Sequence, residues 1–221
     1  MSEQPEGSPT QTTPAVALEE RGHAAIVRLE RPAERNPLSS TTLDELERTL
    51  DALVSRAGDF RAIILAGSGG AFASGANIRE LAALDAVGAR EFARRGQRVM
   101  RKVAGAPQLT VAAVDGYCMG GGLDLALSCD LRVASPQSVF AHPGARLGVI
   151  TGWGGTQRLA RLIGEARAFE MFLTARRLTA AEAFEAGLVN RLSEDPTGCA
   201  LELAAALDRP PAAFDKKGDE V

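Results

Sequence analysis

Two glycine-rich turns, each set directly behind an apolar strand-like run, constrain this chain more than any other feature. The first, Gly67-Ser68-Gly69-Gly70-Ala71-Phe72-Ala73-Ser74-Gly75-Ala76, follows the short apolar run Ala62 to Ala66. The second, Gly116-Tyr117-Cys118-Met119-Gly120-Gly121-Gly122-Leu123-Asp124, follows Leu109 to Val114 and leads into Leu125-Ala126-Leu127, which reads as helix. Glycine permits close backbone approach and positive φ. A helix N-terminus offers unpaired N–H groups and a partial positive charge. Together they can hold an anion or a developing oxyanion. A lone turn of this kind is ordinarily tight packing, and it is the pair that points to a site. The spacing from Gly70 to Gly75 imitates a phosphate loop, but Ala76-Asn77 stands where Lys and Ser/Thr are required, so a Walker-type nucleotide site is rejected.

The rest of the chain alternates strand and helix signals. Ala15 to Leu18 and Ala24 to Leu29 read as a hairpin turning at Arg21-Gly22. Ser39 to Thr42 supply N-cap candidates, with Thr42 and Glu45 at capping-box spacing, and Leu43, Leu46, Leu50 and Leu53 then recur at helical intervals. A short helix is expected over Asn77 to Leu84. A longer one is expected over Ala89 to Val103, with Phe92, Val99, Met100 and Val103 inward and its arginines on a solvated face. Leu109 to Val114 is the expected central strand, followed by Asp130 to Ala134 and Ser138 to Ala141. The glycine-rich loop Pro143 to Gly155 carries the single tryptophan, Trp153. Helices are expected over Thr156 to Ile163, over Glu165 to Thr174, from an N-cap at Thr179, and over Cys199 to Leu207; Leu188-Val189 is expected as a last short strand. Alternation of this kind implies an α/β fold with ligands at strand ends.

The 221 residues suffice for one domain, expected over 14–208 between tails at 1–13 and 209–221. With 45% hydrophobic and 24% charged residues, the composition is that of a globular protein. A net charge of −3 argues against a broad nucleic-acid footprint. No apolar stretch approaches the length of a membrane span, and the polar start does not read as a signal peptide. Cys118, Cys129 and Cys199 lack metal-ligand spacing, which suggests reduced thiols, a cytoplasmic setting and no bound metal.

Five landmarks then occur in order. They are Arg31-Pro32 with Asn36; Phe72-Ala73-Ser74-Gly75-Ala76-Asn77-Ile78; Gly116 to Asp124 with Cys129-Asp130; Gly152-Trp153-Gly154-Gly155-Thr156-Gln157-Arg158-Leu159; and Ala181-Glu182-Ala183 through Ala186-Gly187-Leu188-Val189. Read together they resemble the crotonase (enoyl-CoA hydratase/isomerase) superfamily. The resemblance implies a superhelix of repeated ββα units, homo-oligomers (trimers or hexamers) and a coenzyme A thioester as substrate, with no permanently bound cofactor. It implies that the backbone N–H groups of Ala76 and Gly121 form an oxyanion hole for the thioester carbonyl. It places the segment Ser74 to Ile78 beside the adenine and the loop near Arg35 beside the pantetheine or phosphates. The short stretch after Asn190 implies an altered oligomer contact.

The chemistry departs from the resemblance. Hydratases of this superfamily use two glutamates, and the matching positions here hold Asp124 and Gly144. Asp124 stands either as a catalytic acid or as a first-turn acid that stabilises the helix dipole. His142 stands either as a proton-transfer group or as a structural residue at a strand end. Nucleophilic serine catalysis is discounted, since Met119 and Gly120 occupy the turn where a serine would be needed. Three functions stay open: hydratase or isomerase chemistry on an enoyl-CoA, decarboxylation or other C–C cleavage of a CoA thioester, and CoA binding without turnover. Crotonyl-CoA hydration is expected to be weak. Glutamates introduced at both 124 and 144 are expected to raise it.

Overall fold

A computed structural model describes residues 14–207. The expected tails at 1–13 and 209–221 lie outside these residues. The chain opens with the antiparallel hairpin β1 (Val16–Arg21) and β2 (Ala24–Leu29), which turns through Gly22 at φ 58°. Four further strands extend the sheet in parallel: β4 (Ala62–Gly67), β7 (Leu109–Val114), β9 (Leu131–Ala134) and β12 (Arg191–Leu192), in the order β1-β2-β4-β7-β9-β12. Strand β7 lies inside this sheet with five of its six residues buried, as an apolar run without alternation demands.

A second sheet explains the glycine-rich turns. Strands β5 (Ala71–Ala73), β8 (Tyr117–Met119), β10 (Val139–Ala141) and β11 (Arg177–Thr179) pair in the order β11-β10-β8-β5. Each of β4, β7 and β9 thus hands over to a short strand of the small sheet, and a helix follows. This is the ββα repeat. Two-residue strands β3 (Pro37–Leu38) and β6 (Gly75–Ala76) pair in parallel beside it. Gly67 and Gly116 allow the hand-over, because a Cβ at either would meet backbone oxygen at 2.1 Å (Ala71) or 1.9 Å (Gly70).

The helices are α1 (Ser40–Ser55), α2 (Ile78–Ala82), α3 (Ala86–Ala104), α4 (Gly121–Ser128), α5 (Gly155–Ile163), α6 (Glu165–Thr174), α7 (Ala180–Glu185) and α8 (Pro196–Ala205). The core unites α1, α3 and α4 with one face of the main sheet through Leu43, Leu46, Leu50, Val99, Met100, Val103 and Leu123. A second cluster lies on the other face, where Ala200 and Ala204 of α8 meet Ile64, Val111 and Val133.

Three expectations are corrected. Of the N-cap candidates Ser39 to Thr42, Ser39 caps α1, its side chain accepting from Thr42 N, but Thr42 and Glu45 form no box: Glu45 accepts from the backbone N of Ala15 and Val16 at 2.8 and 3.0 Å. Leu188-Val189 is not a strand, because both backbone N–H groups donate to Ala183 O in the C-cap of α7. The basic face of α3 is not simply solvated: Arg95, Arg98 and Lys102 pair with Asp44, Glu47 and Asp51 of α1.

Candidate active site

The second glycine-rich turn becomes β8 and the N-terminus of α4. Gly120 takes φ 51°, and Gly121 is the first helical residue, whose N–H has no intrahelical partner. Gly75, at φ 97°, approaches so closely that a Cβ on it would stand 3.1 Å from the Gly121 nitrogen. A Cβ on Gly121 would stand 3.4 Å from the Ala76 nitrogen. The backbone nitrogens of Ala76 and Gly121 therefore border one small space. Only glycines at 75 and 121 leave it open.

That space belongs to a cavity of about 600 Å³ whose walls include Ile78, Phe92, His142, Trp153, Phe172 and Leu173. Trp153 fills a slot made by two glycines on neighbouring helices. A Cβ at Gly96 of α3 would meet its indole at 2.1 Å, and one at Gly121 of α4 would meet it at 2.3 Å. The Phe92 ring lies 5.4 Å from it, centroid to centroid. Trp153 is thus both a core residue and a wall of the cavity.

Asp124 lies in the first turn of α4 and is fully buried. Thr151 Oγ1 donates a hydrogen bond to its Oδ2. Its Oδ1 faces His142 Nε2 at 3.4 Å, and neither of these two atoms has a hydrogen-bond partner among the described residues. Gly155 makes the room, since a Cβ there would stand 1.9 Å from Asp124 Oδ1 and 3.0 Å from His142 Nε2. Burial pushes the Asp124 carboxyl up to about 7, against the downward pull of the Thr151 hydrogen bond and the Arg158 charge. Burial likewise pushes the His142 imidazole down to about 4. Between these values the pair holds one proton, and it resides on Asp124. The Phe172 ring covers the imidazole at 4.8 Å.

The expected site residues separate into groups. Ser74, Ala76, Ile78, Gly121 and His142 all border the cavity. Asp124 lies beneath it, behind His142 and Thr151. Arg35 is not one of its lining residues; its guanidinium stands 5.1 Å over the Tyr117 ring, and its carbonyl accepts from Ser74 N at 2.9 Å. Gly144 lines the cavity without room for a side chain, because a Cβ there would meet Val149 O at 2.4 Å. The expected gain from a glutamate at 144 is therefore corrected: that side chain requires the loop backbone to move. Thr151 was not legible in the sequence. It lies 27 residues from Asp124, in a loop whose glycines carry no spacing signal for a hydroxyl. No group of three or more His, Cys, Asp or Glu is placed to hold a metal ion among the described residues.

The sequence pattern of the family described as enoyl-CoA hydratase/isomerase matches residues 19–214. The chain is 38% identical over 180 residues to a short-chain-enoyl-CoA hydratase of Clostridium acetobutylicum, covering 81% of this chain and 69% of the relative. It is 38% identical over 178 residues to a crotonyl-CoA hydratase of Syntrophomonas wolfei, covering 80% and 68%. Among solved structures, an enoyl-CoA hydratase from Bacillus anthracis superposes with a TM-score of 0.84 at 34% identity, covering 87% of this chain and 76% of that one.

Proposed function

The chain belongs to the enoyl-CoA hydratase/isomerase family, the crotonase superfamily of acyl-CoA enzymes, and from that premise we propose that it moves a proton at the carbon beside the thioester carbonyl of an enoyl-CoA. The N–H groups of Ala76 and Gly121 receive the thioester oxygen. The Asp124–His142 pair carries the proton. One observation carries the reading: two backbone nitrogens border one space in an apolar cavity whose wall includes His142, the imidazole that faces the buried Asp124 carboxyl.

The chemistry follows from where charge develops. Addition to, or migration of, the double bond of an enoyl thioester passes negative charge to the carbonyl oxygen. Two fixed donors in a water-poor cavity stabilise that charge without reorganising. The adjacent carbon then needs a proton from a group poised near neutral pH, which a carboxyl raised to about 7 provides. Water addition also needs a base for the water. Gly144 offers none, so crotonyl-CoA hydration is expected to be slow. The same vacancy of side chain at Gly144 favours a second reading, C–C cleavage of a CoA thioester, which uses the oxyanion hole alone. No cofactor enters either scheme, and coenzyme A is part of the substrate. Ser74 and Ile78 at the rim, and Arg35 beyond it, are assigned to the coenzyme A moiety. Self-association belongs to the same reading. The exposed Phe169 of α6 gives apolar surface for it, and light scattering of Phe169→Asp measures the effect.

The experiment is chromatographic separation with mass spectrometry of products from enoyl-, malonyl- and methylmalonyl-type CoA esters, in which isomers of equal mass are told apart by retention. Hydrated or double-bond-shifted products support the first reading and loss of CO₂ supports the second. Binding of every ester without turnover overturns both.

A further inference from the structure

Thr151 separates two cavities. On one side is the apolar cavity of the acyl chain. On the other is a polar cavity of about 350 Å³ lined by Gln97, Arg101, Thr151, Gln157 and Arg158. Gln157 and Arg101 are exposed, so the polar cavity meets solvent. Only Thr151, Gly152 and Trp153 line both, and of the three only Thr151 has a hydroxyl. That hydroxyl is bonded to Oδ2 of Asp124, while the other carboxyl oxygen faces His142. A substrate that fills the apolar cavity cuts His142 off from solvent on its own side. The acid then has one remaining hydroxyl contact that borders solvent.

We propose that Thr151 is the positioning residue of the buried acid: it fixes Oδ1 of Asp124 toward His142 and joins Oδ2 to the polar cavity, so that the acid exchanges its proton with solvent while substrate is bound. This rests on the reading of Asp124 as the proton carrier. The exchange balances simply. Once Asp124 has given up its proton, the Thr151 Oγ1–H bond breaks as that proton passes to Oδ2, and Oγ1 takes a replacement proton from a solvent hydronium, which leaves as water. The reverse sequence unloads the acid. The charged and titratable groups around Asp124 are His142 at the end of β10, Arg158 of α5 and Cys118 of β8. The positive charge of Arg158 favours the ionised form of Asp124, opposing the effect of burial.

The test uses the full chain with Thr151→Val, which keeps the shape and removes the hydroxyl, and Thr151→Ser, which restores it. Two readouts are taken. The first is ¹³C NMR titration of the Asp124 carboxyl in the free protein. The second is exchange of the α-protons of a saturated acyl-CoA with deuterated solvent. Thr151→Val is expected to move the carboxyl titration to higher pH and to slow exchange on the order of tenfold or more, with KM unchanged and with Thr151→Ser close to native. If Thr151→Val titrates and exchanges as the native protein does, the assignment of Thr151 fails and the proton-transfer reading stands. If the native protein exchanges no α-proton while Thr151→Val still shifts the titration, that reading fails and the Thr151–Asp124 link stands.

Discussion

Asp124 and His142 respond to pH in opposite senses, and this separates them experimentally. The folded carboxyl keeps its proton up to about 7, whereas an ordinary aspartate loses it near 3.8. Its stabilising contribution is therefore full below 3.8 and disappears as pH rises through about 7. The folded imidazole refuses a proton down to about 4, whereas an unfolded histidine accepts one near 6.5. Its contribution is full above 6.5 and is lost as pH falls toward 4. The two slopes offset each other in the native chain. Asp124→Asn removes the first and leaves the second, so the variant gains on the native chain as pH rises from 4 to 8, by on the order of a few kcal/mol. Urea melts at both ends of that range measure it, and a pH-independent difference defeats it. Gly121 provides the companion prediction. Proline suits the first helical position and removes the N–H, but a Cβ there strikes Trp153 at 2.3 Å. The clean comparison is Trp153→Ala against Trp153→Ala with Gly121→Pro. The added proline is expected to cost about 10²–10³ in kcat, and equal turnover in the two sinks the oxyanion-hole assignment. The positions of Gly121, Asp124 and His142 could be singled out in the sequence because each stands beside a glycine run or a proline that marks a turn, while the roles proposed for them come from the family resemblance and the chemistry of the side chains. It could not reach the closure of Gly144 on Val149 O, which is a contact between backbones across a loop. For that reason Asp124→Glu with Gly144→Glu is now expected to lower stability rather than to build a hydratase.

Local sequence rules worked where an element's partners are close in the chain and failed where they are distant. Glu45 matched the capping-box spacing but was taken by the start of β1, about 30 residues away, as a carboxylate with two N–H donors outcompetes a single cap bond. Thr179 and Glu182 have the same spacing and no distant competitor, and they form the full box. The segment from Arg31 to Asn36 shows how a loop beside the site is held. Arg35 and Asn36 both take positive φ, 60° and 52°. Asparagine tolerates that region better than most residues. The buried Asn36 side chain accepts from Arg31 N at 2.8 Å and donates to Ser68 O and Ala71 O at 2.9 and 2.7 Å. It fastens this loop to the first glycine-rich turn. Asn36→Ala leaves these partners unpaired and is expected to cost roughly 2–4 kcal/mol, read as a lower urea midpoint at unchanged m. Arg35→Ala, outside the cavity, is expected to raise KM for a CoA thioester and leave kcat as it is. A change confined to kcat contradicts its assignment to the coenzyme A moiety.

At the scale of the whole molecule, stability and function occupy different parts. The parallel strands β4, β7 and β9 are buried on both faces between the two apolar clusters, and their opening requires global unfolding. The segment 143–152 makes no strand pairing. It is held by bonds such as Val149 N to Gly144 O at 3.0 Å and Gln97 Nε2 to Gly152 O at 2.8 Å. It also exposes apolar surface at the cavity: Val149 is 52% and Ile150 70% accessible, and Leu173 across from them 62%. Apolar side chains left in water beside an apolar cavity are covered when an acyl chain enters. Acyl-CoA is therefore expected to protect segment 143–152 from amide hydrogen exchange, with protection growing as the acyl chain lengthens. Coenzyme A without an acyl group is expected to protect the stretch from Ser74 to Ile78 and the loop around Arg35, with no excess at 143–152. Ligand at about 100 times its Kd adds roughly 2.7 kcal/mol to global stability by mass action, so β4, β7 and β9 slow by a common factor while segment 143–152 slows further. Hydrogen-exchange mass spectrometry with a saturated acyl-CoA series, which has no double bond to hydrate or shift, measures both effects. Uniform slowing with no excess at 143–152, whatever the chain length, means that the acyl group does not occupy the cavity beside Trp153 and His142.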